Sequence, residues 1–198
     1  MKLLMSTTSP YTRVARIALW EKGFGDIETR IVDPWADDPE HLAANPSARV
    51  PTLITDDGQA LTESLLIVLW LERTRPEPPL LGRDPTGTAA RAGVAMGVND
   101  TAAHTIISRR VAGPGFDESP VGLRRRRSMV EGFRRLDAAA DAMSADPPDM
   151  AAIATVVALD YVRFRFPDAG WMPEAGGLDR LRDRVRGRPS VERTMPYA

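Results

Sequence analysis

Residues 45–71, NPSARVPTLITDDGQALTESLLIVLWL, constrain the fold more than any other stretch of the chain. Asn45-Pro46 starts a turn, and Pro51-Thr52-Leu53-Ile54 is a short strand-forming run. Asp56-Asp57-Gly58 is a hairpin signal, because glycine tolerates the positive φ that a tight turn demands. Leu61 closes the returning strand. Thr62-Glu63-Ser64 then leads into residues 65–71, apolar nearly all round, which predicts a buried helix. A hairpin that feeds a helix N-terminus sets small polar side chains beside unpaired N–H groups, and such an end suits a carboxylate. Pro51 donates nothing to a ladder, so its strand begins there or lies at an edge. Val50 is held extended, and its backbone groups are free to pair elsewhere. From these residues alone, two readings stay open. One is an ordinary edge strand with a capped helix; the other is a ligand-docking edge made of Val50, Glu63 and Ser64.

A chain of 198 residues forms one or two domains with a sizeable core. The 26 Lys and Arg nearly balance the 27 Asp and Glu, so no general attraction to nucleic acid or to an anionic membrane follows. No apolar run approaches a membrane span, and Lys2-Leu3-Leu4-Met5 is too short for a signal-peptide core. Cysteine is absent. Disulfides, thiolate metal sites and a dithiol mechanism are therefore excluded, and a cytoplasmic location is expected. His41 and His104 are too few for a metal site, and none is expected.

The first 76 residues alternate in type. Lys2 to Met5 reads as a strand. Ser9-Pro10 opens a helix with Val14, Ile17, Ala18 and Leu19 on one face and Gly23 as its stop. Ile27, Thr29 and Ile31 alternate as a half-buried strand does. Residues 33–38 form a loop carrying Trp35, and residues 39–44 make a short helix. With the hairpin and its helix the order is β-α-β-α-β-β-α. Residues 77–86 are a proline-rich linker. Beyond it, residues 87–198 carry only helical signals: 87–111, 121–144, 150–166 and 178–186, separated by Gly113-Pro114-Gly115, Asp146-Pro147-Pro148 and a loop after Pro167. Residues 150–166 are apolar on every side in their middle, as the central helix of a bundle is.

VPTL, DDG, and ES before an apolar helix resemble the glutathione-binding half of the glutathione transferase family. SPYT falls where glutaredoxins carry a Cys-Pro-Tyr-Cys pair, with hydroxyl residues in both cysteine positions. DMAAIATVVALDYVRFRFPDAGW and GRPSVERT resemble the family's buried helix and closing segment, so the resemblance spans nearly the whole chain. It implies a thioredoxin-like α/β domain over residues 1–76 and an all-α helical bundle over 87–198. One departure touches stability: Asp149 can cap the buried helix, but Ala152 stands where a reciprocal capping box has an acid.

The resemblance also implies roles. Glutathione is the co-substrate, and no metal is implied. Ser9, otherwise a helix cap, donates a hydrogen bond to its sulfur as in serine-type members; Thr7, Thr8 and Tyr11 are neighbouring hydroxyls that could substitute. Glu63 pairs the ammonium of the γ-glutamyl end and Ser64 its carboxylate. Val50 exchanges backbone hydrogen bonds with the cysteinyl unit, which requires Pro51 in the cis form, and Arg49 reaches a carboxylate or is solvated. The electrophilic acceptor is expected between Ser9-Tyr11 and the first long helix, near Met96, Asn99, Asp100 and Ala103. A homodimer is implied. The reading is a detoxifying transferase. Isomerase, lyase, dehalogenase and peroxidase variants of the same chemistry stay open, as does a non-catalytic glutathione- or protein-binding module. The four arginines at 124–127 point in four directions on a helix and do not form a nucleic-acid stripe.

Overall fold

The computed structural model describes residues 1–197. It divides into two compact units, one of Met1–Leu80 with the residues from Gly187 onward, the other Leu81–Arg186.

In the first unit, β1 (Lys2–Met5), α1 (Pro10–Glu21), β2 (Glu28–Ile31), α2 (Pro39–Ala44), β3 (Thr52–Ile54), β4 (Ala60–Thr62) and α3 (Ser64–Thr74) follow one another. The sheet order is β2-β1-β3-β4. β1 runs parallel to β2, as a helical crossover allows, and antiparallel to β3, which pairs β4 through the hairpin at Gly58, φ 81°. Leu3 and Leu4 of the central β1 are fully buried, and α1 turns Val14, Ile17, Ala18 and Leu19 inward.

Two expectations are corrected here. β2 is not half-buried: it is an edge strand, and Ile31 is 62% exposed. α3 is not buried all round. Ile67, Val68 and Leu71 face the core, while Leu66 and Leu69 are 58% and 49% exposed on the opposite side. A helix laid on one face of a sheet has only one inward stripe, whatever its composition.

The second unit contains α4 (Pro85–Ala112), α5 (Pro120–Ala138), α6 (Met150–Arg165) and α7 (Gly176–Val185), with 3-10 turns at Pro114–Glu118 and Ala140–Ala142. The expected 121–144 helix ends early at Ala138, where the chain tightens into the second turn. Every residue of α6 from Met150 through Val162 is buried. Asp149 caps it, accepting from Ala152 N at 2.8 Å, and also accepts from Ser144 N at 3.0 Å. Gly132 lets α5 approach α4: a Cβ there would lie 2.4 Å from Cγ2 of Val98.

The residues from Gly187, assigned from sequence to the helical domain, group instead with the first unit. The short α8 (Pro189–Glu192) lies there because Glu21, at the end of α1, accepts from Arg188 Nε and Nη2 at 3.0 and 2.8 Å and from the Ser190 hydroxyl. No helix among the described residues is long and apolar enough to cross a membrane.

Candidate functional site

The strand register brings three separate segments to one end of the sheet. Leu4 pairs Thr52, and Thr52 pairs Thr62. The chain therefore leaves β1 into the Ser6–Ser9 loop, enters β3 from Val50-Pro51, and leaves β4 into Glu63-Ser64, all at the same end of the sheet. A helix starts directly from two of these segments, so two helix N-termini stand there, each with its partial positive charge.

Ser9 is the N-cap of α1. Its Oγ accepts the Thr12 N–H at 3.2 Å, and its carbonyl accepts from Arg13 N. A serine hydroxyl has one proton and two lone pairs, so capping leaves the proton available to an acceptor. Thr12, in the second cysteine position of the SPYT motif, is buried, and its hydroxyl has no partner among the described residues. Thr7, Thr8 and Tyr11 are all partly accessible around it.

At the other helix start, no side chain caps α3. Ser64 is its first residue and is 3% exposed. Glu63 takes φ 64° and ψ 117°, a left-handed conformation that costs a non-glycine residue on the order of 1–3 kcal/mol. Its carboxylate reaches Arg49, Nη1 to Oε1 3.1 Å, in an exposed ion pair. The Val50–Pro51 peptide is cis, and the backbone N–H and C=O of Val50 have no partner among the described residues.

The residues expected near an acceptor lie on α4. Met96 and Ala103 are buried and Asp100 is exposed, while Asn99 is fully buried and donates through Nδ2 to the carbonyls of Ala95 and Ala154 at 3.2 and 3.3 Å. The bond to Ala154 ties α4 to α6. Of the arginines on α5, Arg125 donates to the His104 carbonyl and the Ser108 hydroxyl, and Arg126 pairs Glu118.

Residues 8–74 match the model of the glutathione S-transferase N-terminal domain. The chain is 30% identical to the uncharacterized GST-like protein YibF of Escherichia coli, over 99% of this chain and 98% of that protein. The chain belongs to the glutathione S-transferase family. The crystal structure of a glutathione S-transferase from Methylobacterium radiotolerans, in complex with glutathione sulfonate, superposes with a TM-score of 0.87 at 32% identity, over 100% of this chain and 95% of that one. A maleylacetoacetate isomerase of Pseudomonas aeruginosa is 40% identical over 100 residues, 48% of this chain and 47% of the isomerase. The thioredoxin-like α/β unit and the helical unit are those of this glutathione S-transferase family. Sequence reasoning about this family member passed over three buried side chains behind Val50, namely His41, Asn45 and Thr52. The available signal was a polar residue at each end of a short helix just ahead of VPTL.

Proposed function

We propose that this protein binds glutathione at this end of the sheet and activates its thiol for attack on a small electrophile. The observation that carries the reading is the register, which places Ser9, Val50 and Ser64 at one end of one sheet beside two helix N-termini. In this reading the γ-glutamyl carboxylate takes the uncapped start of α3 at Ser64. Its ammonium meets Glu63, exchanging with Arg49, which is then free to reach a carboxylate. The cysteinyl backbone pairs with Val50 as one strand pairs with another.

The sulfur then lies at the start of α1. The helix terminus and the Ser9 proton both favour thiolate over thiol, so the nucleophile is generated without any protein cysteine. A second reading, isomerisation through a glutathione adduct, is supported by the similarity of half the chain to a maleylacetoacetate isomerase. The two share every step up to the thiolate. The exposed Leu66 and Leu69 of α3 favour a homodimer that covers them, which sedimentation velocity reads directly.

Calorimetry with glutathione, followed by a panel of electrophiles and cis-enone acids with and without it, tests the proposal. Turnover of halogenated aromatics supports the transferase, and turnover of the enone acids alone supports the isomerase. Binding without any turnover would make the protein a glutathione-binding module. Absence of binding would remove the reading altogether.

A further inference from the structure

The carbonyl oxygen of Arg49 is the meeting point of three buried side chains. Asn45 Nδ2 donates to it at 2.9 Å and the Thr52 hydroxyl at 3.0 Å, and His41 Nε2 lies 3.1 Å away. A carbonyl only accepts, so the His41 proton sits on Nε2. These side chains are 1%, 5% and 0% exposed for His41, Asn45 and Thr52. Asn45 Nδ2 also donates to Thr52 Oγ1 at 3.2 Å, which turns the hydroxyl proton toward Arg49 O. Asn45 Oδ1 in turn accepts from Ser47 N at 3.1 Å and fixes the amide's orientation.

This oxygen has two lone pairs, yet three donors are supplied, by α2, by the residue that ends it, and by β3. The arginine side chain itself is exposed, so the cluster does not serve to bury Arg49. The peptide unit explains the arrangement. The Arg49 C=O and the Val50 N–H belong to one planar trans amide, in which they point in opposite directions. Clamping the carbonyl inward therefore aims the Val50 N–H outward, and this N–H has no partner among the described residues. Pro51, next along, has no N–H to offer.

We propose that His41, Asn45 and Thr52 are positioning residues that hold the Val50 N–H aimed at the backbone of a bound peptide-like ligand. The inference rests on the glutathione reading above. A role in packing alone lowers the melting temperature and leaves affinity, measured well below it, unchanged; a positioning role moves affinity.

The test is calorimetry with glutathione on the full-length protein, for Thr52→Val, Thr52→Ser, Asn45→Ala and His41→Leu. It is paired with amide hydrogen exchange at Val50 with and without glutathione. Thr52→Val and Asn45→Ala are expected to weaken binding about tenfold, the size of one lost hydrogen bond, while Thr52→Ser stays near wild type. The titration of the bound thiol should not move, because Ser9 is untouched. In the wild type, glutathione should slow exchange at the Val50 amide. Folded Thr52→Val, Asn45→Ala and His41→Leu proteins with wild-type affinity would overturn the positioning role and leave the glutathione reading standing. Wild-type protein that binds no glutathione would overturn both. If the variants do not fold, the Val50 amide of the wild type decides: no added protection on binding overturns the proposal.

Discussion

Replacing Ser9 separates the cap that the structure shows from the thiolate donor proposed for the same oxygen. As a cap, its Oγ accepts the Thr12 N–H at 3.2 Å, a contact of the kind worth about 1 kcal/mol when serine becomes alanine, but only a few tenths when it becomes glycine. For a chain of this length, 1 kcal/mol corresponds to roughly 2–4 °C in melting temperature. As a donor to a thiolate, the same hydroxyl supplies one hydrogen bond to a charged group, about 1.5–3 kcal/mol. At 1.36 kcal/mol per pH unit, its loss should raise the apparent pKa of bound glutathione by roughly 1–2 units. The N-terminus of α1 remains, so turnover is expected to fall by about one to three powers of ten rather than vanish. Ser9→Ala should therefore lose both stability and rate, and Ser9→Gly should lose rate with almost unchanged melting. Ser9→Thr should retain much of both. Thiolate absorbance against pH and steady-state turnover provide the assay. A Ser9→Gly protein with wild-type rate and an unmoved thiolate titration would show that the hydroxyl is a helix cap and nothing more.

Ser64→Ala should weaken glutathione binding by about 1–3 kcal/mol in calorimetry, and unchanged affinity would take the α3 terminus out of the site. Asp149→Ala should cost about 2–3 kcal/mol in urea denaturation, more than a simple cap, because the buried carboxylate holds both Ala152 N and Ser144 N. Lys22→Met should cost about 3–5 kcal/mol, because the fully buried ammonium binds the carbonyls of Pro76 and Pro78 at 2.9 and 2.7 Å and Glu72 at 2.6 Å; adding Glu72→Gln should recover part of the loss. The bidentate hydrogen bonds from Arg109 hold the Asp117 carboxyl below its usual 3.8. Its contribution is thus fully present above that value and is lost as pH falls through the lower folded value; Asp117→Asn should flatten this part of the acid limb of stability below about pH 4.

What the sequence made legible is chemistry that acts over three or four residues. Ser9-Pro10 and Asp149 were readable as helix starts because a cap bonds an N–H two or three positions ahead, and each does so in the structure. Gly58 was readable as a turn for a similarly local reason. Strand order is not written locally. The alternation of Ile27, Thr29 and Ile31 states a period, but only the pairing of β1 with β3 makes β2 an edge and exposes Ile31. Composition likewise could not say which side of α3 meets the sheet.

The part of the candidate site that stayed hidden is the part that aims the backbone. Ser9, Glu63 and Ser64 present chemistry in their side chains, and a motif can name them. Val50 offers only an amide, and any residue there except proline would offer the same one. Its direction depends on His41, Asn45 and Thr52, which meet at a neighbouring carbonyl only after α2 has folded back on the entry to β3. None of the three carries a signature of ligand contact, because none touches the ligand in the proposed complex. Lys22 shows the same limit on the stability side: its partners lie fifty and more residues away, so the sequence shows a lysine at a helix end, where a solvated charge is the ordinary reading. Residues that aim a backbone, or tie distant turns together, become visible only when the acceptor is seen. A search for such residues should therefore start from carbonyls with more buried donors than satisfaction requires, and ask which N–H lies on the other side of the same peptide plane.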